Sequence, residues 1–328
     1  MSGGGDGGDR RPTSCLALSG GVGGAKLALG LARHLAPGEL AIAANVGDDF
    51  EHLGLTICPD IDTLVYTLSG LANPETGWGR AGDTATFMHA LAGLGGETWF
   101  HLGDGDLAMH VARSHRLRSG ESLSRITADI CERLGIEARI LPASDDALRT
   151  IVETEDGPLA LQHYFVREKC APKVKGFRYD GSRTAQVKKE ILGALSEPSL
   201  QAVIICPSNP YISIDPMLAM PALRQALKDC AAPVVAVSPI VGGAALKGPT
   251  AKMMHELGAA VSADSVARHY RDLIDGFVLD PADAALEKAV RGLGMEVLIT
   301  PSVMTSLGDK IRLARETFAF AVALSRSN

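Results

Sequence analysis

Cys15 to Ser19 is a short apolar run that ends in Gly20-Gly21-Val22-Gly23-Gly24. A helical pattern follows, with Leu27, Leu31 and Leu35 spaced by four, and Leu40 to Ala44 is a second apolar run. Strand, glycine turn, helix and strand is the start of a βαβ unit, and it predicts a parallel sheet. The crossover is expected to be right-handed.

The rest of the chain extends that pattern. Asn45 to Pro59 reads as a long polar loop. Helices are expected at Ile61–Leu68, Ala85–Leu94, Leu107–His115 and Ser122–Leu134, with a short strand at Trp99–Leu102. Ile126, Ile130 and Leu134 share one face of the fourth helix. Between Ala138 and Tyr179 the periodicity turns to short strands, Ala138–Leu141, Arg149–Thr154, Leu159–Phe165 and Val174–Tyr179, with turn signals such as Glu155-Asp156-Gly157. Helix and strand then alternate again to the closing helix at Leu307–Leu324. Alternation on both sides of an insert predicts an α/β fold: a doubly wound, Rossmann-like parallel sheet with a smaller inserted α+β subdomain at about residues 120–182. Residues 1–13 read as a floppy tail and 14–328 as one domain.

Composition narrows the function. The net charge is −6 and Lys and Arg are scattered, which argues against nucleic-acid binding. The six cysteines form no Cys-x-x-Cys pair, so neither zinc spacing nor a disulfide framework is expected. No apolar run is long enough to span a membrane, and the N-terminus has no signal-peptide pattern. The expected location is the cytoplasm.

Five segments carry chemistry. The first is Ser19 to Lys26, where glycines let backbone N–H groups approach a phosphate and the following helix points its positive end there. Its spacing departs from the P-loop and from the G-x-G-x-x-G fingerprint, and a simple tight turn is the plainer alternative. The second is Asn45-Val46-Gly47-Asp48-Asp49 with Cys58-Pro59-Asp60-Ile61-Asp62-Thr63. Paired carboxylates beside a phosphate suit Mg²⁺, or accept a proton from an attacking hydroxyl. The plainer alternative is solvated loop acids with a helix cap at Asp60 or Asp62. The third is His101-Leu102-Gly103-Asp104-Gly105-Asp106, where helix capping could account for Asp104 and Asp106. The fourth, Cys206-Pro207-Ser208-Asn209-Pro210, offers Ser and Asn side chains to a base, ribose or phosphate, or is plain turn chemistry. The fifth, Ser238 to Pro249, combines Gly242-Gly243 with Lys247 as a point charge for phosphate. Three strand ends with such turns suggest one crevice lined from several strands.

In this order, the segments resemble the 2-phospho-L-lactate transferase family of coenzyme F-420 biosynthesis. The likeness rests on Gly-Gly-x-Gly-Gly-Ala-Lys, Asn-x-Gly-Asp-Asp, Cys-Pro-Asp-x-Asp-Thr, Leu-Gly-Asp-x-Asp-Leu-Ala, Pro-Ser-Asn-Pro and Ser-Pro-Ile-x-Gly-Gly, with Leu141 to Asp146 in the insert. It runs from about Leu16 to the C-terminus. The resemblance implies a reaction in which the deazaflavin alcohol Fo attacks the β-phosphorus of a guanosine diphosphate ester of a small hydroxy acid. GMP then leaves. The transferred group is phospholactyl, phosphoenolpyruvyl or phosphoglyceryl. Mg²⁺ and a homodimer are implied as well. Contacts to Fo fall on Asp62 and His101; Gly105 stands where relatives commonly carry Arg.

The expected assignments follow. Gly20, Gly21, Val22, Gly23, Gly24, Lys26, Ser208, Asn209, Gly242, Gly243 and Lys247 hold the nucleotide. Asp48, Asp60 and Asp62 carry Mg²⁺, and Asp48 and Asp62 are catalytic. Two other readings compete: a sugar-nucleotide-binding regulator of a related Gly-rich family, and a nicotinamide-dependent dehydrogenase.

Overall fold

The computed structural model describes residues 13–75 and 77–324. Seven parallel strands form the central sheet: β1 (Cys15–Ser19), β2 (Leu40–Ala44), β3 (Arg139–Pro142), β4 (Ala202–Ile205), β5 (Val234–Val237), β6 (Gly276–Leu279) and β7 (Glu296–Ile299). Their spatial order is β7-β6-β5-β4-β1-β2-β3. Every residue of β1, β2, β4, β5 and β6 is buried. Helices cover both faces, which is why these strands read as unbroken apolar runs instead of alternating ones.

Chain direction across the sheet reverses between β1 and β4, its immediate neighbour. Doubly wound sheets bind ligands at such a reversal, outside the carboxyl ends of the strands. Helix α1 (Gly21–His34) leaves β1 at that point and packs against the C-terminal helix Leu307–Ala323. A Cβ on Gly30 would stand 2.1 Å from the Lys310 carbonyl oxygen, so glycine is what lets the two helices meet. A Ser306–Asp309 capping box starts the C-terminal helix.

The remaining helices that matter for the site are α2 (Pro59–Ser69), α3 (Thr86–Gly93), α4 (Asp104–Arg118) and α5 (Leu123–Arg133). No helix among the described residues is long and apolar enough to cross a membrane.

Several local expectations change. Ala138–Leu141 corresponds to β3, a parallel edge strand of the main sheet, and not to the antiparallel insert. Burial of Ile140 against the core selects that pairing. The antiparallel unit is a three-stranded sheet of Arg149–Thr154, Gly157–Ala160 and Val174–Asp180. Its own core joins Val152, Leu161, Tyr164 and Val174 to Met253. The strand expected at Leu159–Phe165 stops at Ala160 and gives way to a π-helical turn, His163–Arg167. Trp99–Leu102 is not a strand; Trp99 and Phe100 pack edge-on with Phe50 and His52. Aromatic residues fit strands and aromatic clusters alike, which is why the pattern misleads. The polar loop 45–59 contains a hairpin, Phe50–His52 with Leu55–Ile57. The expected tail falls on residues 1–12, outside the described residues, whereas Thr13 is buried and bonded to Arg139.

Candidate active site

The turn after β1 is locked by its neighbours. Gly21 has φ +66°, where glycine carries no steric penalty. A Cβ on Gly23 would lie 2.3 Å from the Pro207 carbonyl oxygen, and one on Gly24 would lie 2.6 Å from Ser208 Oγ. The turns after β1 and β4 therefore interlock across the switch point. Ser208 Oγ donates to the Gly20 carbonyl at 2.8 Å and accepts from the Gly20 N–H at 3.3 Å.

Asp60 brings the acids to the same place. Its carboxylate accepts from the Gly21 N–H at 2.5 Å and from Asn45 Nδ2 at 2.9 Å. Asp60 is in the first turn of α2, yet neither it nor Asp62 caps that helix; Asp60 sits instead at the start of α1. Asn45 Nδ2 also donates to the Ile212 carbonyl at 3.1 Å, and Asn45 Oδ1 accepts from the Gly47 N–H at 2.9 Å. Asn45 thus ties the end of β2 to Asp60 and to the π-helical turn Pro210–Ile214.

Four carboxylates, on Asp48, Asp49, Asp60 and Asp62, are each at most 8 % exposed. Burial pushes Asp60 up to about 6, against the pull of its bonds from Asn45 and Gly21. Burial pushes Asp49 up to about 7, opposed by Arg149, Cys58 and Arg113. Burial, then the charges of Asp60, Asp49 and Asp62, hold Asp48 well above the usual carboxylate range. Asp48 Oδ1 and Asp49 Oδ1 are buried and have no hydrogen-bond partner. Carboxylates this crowded and this poorly paired favour a cation beside them.

Asp62 is paired differently. Arg113, only 1 % exposed, clamps it with both terminal nitrogens, Nη1 at 3.1 Å from Oδ2 and Nη2 on Oδ1. His110 Nδ1 lies 3.7 Å from Asp62 Oδ2 and 3.4 Å from Arg113 Nη1. His110 Nε2 lies 3.0 Å from Asp106 Oδ2, and Tyr66 Oη donates to Asp106 Oδ1 at 2.6 Å. Burial opposes ionisation of Asp106, but His110, Tyr66 and Arg113 hold its carboxyl below the usual range.

The expected set of three metal ligands does not form as a set. Among the described residues, no three His, Cys, Asp or Glu side chains are arranged to hold a metal by themselves. Asp62 faces Arg113 and Asp60 faces Gly21 and Asn45, which leaves Asp48 with the uncommitted oxygen. Mg²⁺ still fits, because it takes one or two carboxylates and completes its shell with phosphate oxygens and water.

The nucleotide residues divide in the same way. The N–H groups of Gly20 and Gly21 are already taken by Ser208 and Asp60. Val22 and Gly23, also in the first turn of α1, lack intrahelical acceptors for theirs. Lys26 is half-buried and its Nζ donates to the Met304 carbonyl at 3.1 Å. Burial lowers its pKa, and the nearby charges of Lys247 and Lys310 lower it further. Lys247 lies near the start of α1: a Cβ on Gly77 would stand 2.6 Å from Lys247 Nζ and 3.3 Å from Val22 Cγ1. Asn209 Oδ1 accepts from the Tyr211 N–H at 3.0 Å, so Ser208 and Asn209 are both engaged in turn chemistry. Gly242 and Gly243, at φ +59° and +75°, form the two-residue turn of the hairpin Ile240–Val241 with Ala244–Ala245. His101 is exposed, on the loop before α4.

The plainer reading of the third segment also changes. Asp104 caps α3, not its own helix, accepting from the Thr86 and Phe87 N–H groups at 3.1 and 2.9 Å. Asp83 returns the favour at α4, accepting from Gly105 and Asp106 N–H groups at 2.6 and 3.0 Å. Arg113, His110 and Tyr66 lie outside the segments singled out in the sequence, and Asn45 and Asp106 lie inside them without an assigned site role. A usable signal existed: Asp106, His110, Arg113 and Ser114 form a polar stripe at helical spacing, while apolar Val111 is 48 % exposed.

Fold and site together define a doubly wound α/β protein whose switch point joins a glycine-rich helix start to a nest of buried acids. Comparison with known proteins specifies the family. The profile described as 2-phospho-L-lactate transferase CofD matches residues 15–297. A phosphoenolpyruvate transferase of Kitasatospora aureofaciens is 39% identical, covering 93% of this chain and 97% of that protein. A 2-phospho-L-lactate transferase of Methanosarcina acetivorans is 38% identical, covering 94% and 98%. A solved structure of a UPF0052-family protein from Bacillus halodurans superimposes with a TM-score of 0.62 at 15% identity, covering 94% of this chain and 99% of that one, which supports the fold. The chain belongs to the 2-phospho-L-lactate transferase CofD family and is a CofD-type phosphotransferase of coenzyme F-420 biosynthesis.

Proposed function

We propose that this enzyme moves a phospho-hydroxyacid group from a guanosine diphosphate ester to the deazaflavin alcohol Fo, releasing GMP. The observation that carries the reading is the bond from the Gly21 N–H to Asp60. It joins the helix start that favours phosphate to the buried acids that would hold a cation.

In this reading the ribityl hydroxyl oxygen of Fo attacks the β-phosphorus. The new P–O bond forms as the bond from that phosphorus to the bridging oxygen of GMP breaks, and the hydroxyl proton passes to a crevice carboxylate. Phosphoryl transfer needs mainly positioning and charge neutralisation. Val22 and Gly23 N–H groups, with Lys26 and Lys247, face the diphosphate. The Ser208-Asn209 and Gly242-Gly243 turns shape the walls for the guanosine. Asp48 and Asp60 would hold Mg²⁺, which supplies positive charge against the phosphate oxygens when bound. Asp62, fixed by Arg113, and the exposed His101 would meet Fo. The soluble, charged substrates suit a cytoplasmic enzyme, and the family resemblance suggests a homodimer.

The test offers purified enzyme Fo with guanylated phospholactate, phosphoenolpyruvate or phosphoglycerate and reads the product by mass. A new phosphodiester of Fo together with stoichiometric GMP is the expected outcome. No product from any donor, with tight binding of a UDP-sugar, would favour the regulator reading instead.

A further inference from the structure

We propose that Arg113 is a positioning residue for the transfer: its two-nitrogen clamp sets the orientation of Asp62 toward the acceptor, and helix α4 exists in its present register to deliver it. The inference rests on the reading of Asp62 as the carboxylate that meets the acceptor hydroxyl.

Stability does not account for this pair. Taking an arginine and a carboxylate out of water costs several kcal/mol per ion, and apolar residues of similar volume often serve a fold as well. Here the guanidinium is 1 % exposed and its Nε has no partner. An arrangement that leaves a donor unpaired inside the protein is not optimised for folding. What the fork does provide is direction. Two parallel N–H donors fix the plane of a carboxylate as a single ammonium cannot.

The clamp is itself held from three elements. The hairpin supplies the Thr56 carbonyl, 3.4 Å from Arg113 Nη1, and the Thr56 N–H, which donates to Ser114 Oγ at 2.7 Å. Helix α2 supplies Asp62 and, one turn on, Tyr66, which bonds Asp106. Helix α4 supplies Asp106, His110 and Arg113 at positions i, i+4 and i+7. Two helices thus meet through facing polar stripes, and Asp62 is the end of that contact nearest the other acids. Asp49, Cys58, Tyr66 and Asp106 also feel the guanidinium.

The test is a double-mutant cycle on kcat and KM, with folding followed by circular dichroism and thermal unfolding. Arg113→Gln is expected to lose about 10²-fold in kcat with KM for the guanylated donor changed less than threefold, as expected when a reacting group is misplaced by about an ångström. Arg113→Lys keeps the charge without the fork; it is expected to fold as wild type and still lose at least tenfold in kcat. On an Asp62→Asn background, Arg113→Gln should cost no more than twofold further, because there is no carboxylate left to aim. Should Arg113→Gln fail to fold, the Arg113→Gln/Asp62→Asn pair, which removes both buried charges, and Arg113→Lys still give the comparison. A folded Arg113→Lys enzyme within threefold of wild-type kcat overturns the proposal. So does an equal loss from Arg113→Gln on both backgrounds. Wild-type turnover in Asp62→Asn would instead sink the site reading itself, whatever Arg113 does.

Discussion

Replacing Asp48 by Asn should make the protein more stable and nearly inactive at once. Asp48 is 8 % exposed, its Oδ1 has no partner, and its Oδ2 accepts a long bond from Gln162 Nε2 at 3.5 Å. Asn keeps the shape and can keep that weak contact, while removing a buried charge that Asp60 and Asp49 repel. Relief of such a defect is worth about 1–2 kcal/mol, or a rise of roughly 2–4 °C in Tm. The sign depends on pH. Asp48 titrates above its ordinary range because burial and neighbouring acids disfavour its charge. Its cost to folding is therefore absent below about pH 4, the unfolded carboxylate value, and grows as pH rises toward the folded pKa. The variant and wild type should melt together at pH 4 and separate at pH 8. Mg²⁺ should raise the Tm of wild type at pH 8 and leave the variant almost unmoved, because binding stabilises only the form that has a site. Turnover with saturating Fo and donor should fall at least about 10²-fold, the usual scale for losing charge stabilisation in a transfer step. The assay pairs thermal unfolding, with and without Mg²⁺, with product mass. A variant that is less stable than wild type at pH 8 refutes the unpaired-charge argument, and undiminished turnover refutes the catalytic one.

Three further outcomes follow from other parts of the site. With Asp60 raised to about 6 and Asp49 to about 7, both above the ordinary 3.8, metal-free protein should lose stability between pH 4 and 7, and the Tm gain from Mg²⁺ should grow across the same window; a gain independent of pH would argue that these acids do not see the ion. Gly23→Ala places a Cβ 2.3 Å from a backbone oxygen that cannot swing away, so urea unfolding should show a loss of about 2 kcal/mol or more. Ser208→Ala removes both of its bonds to Gly20 and orphans a buried N–H, for which about 1–3 kcal/mol is expected, and a KM for donor that rises together with the loss would show that the interlocked turns also shape the nucleotide wall.

Much of the architecture was readable along the chain because it depends on local chemistry. Unbroken apolar runs such as Cys15–Ser19 and Ala202–Cys206 mark strands buried on both faces, and the glycine turn after Ser19 marks a parallel crossover. The acids at 48, 49, 60 and 62 stood out by density alone, and the motif order identified the family. The same local view could not distinguish an edge strand of the main sheet from a strand of the insert at Ala138–Leu141, since both are short and apolar.

What each acid does was decided only in three dimensions. Asp60 and Asp62 lie two residues apart on one helix, so no pattern along the chain could separate them. Folding sends one to the Gly21 N–H, 39 positions away, and the other to Arg113, 51 positions away. A carboxylate's charge, orientation and freedom to meet an ion are set by the groups within a few ångströms of it, and those come from distant parts of the chain. The residue types were fixed by the chain; their roles came from the packing of α1, α2 and α4 around the point where the sheet reverses.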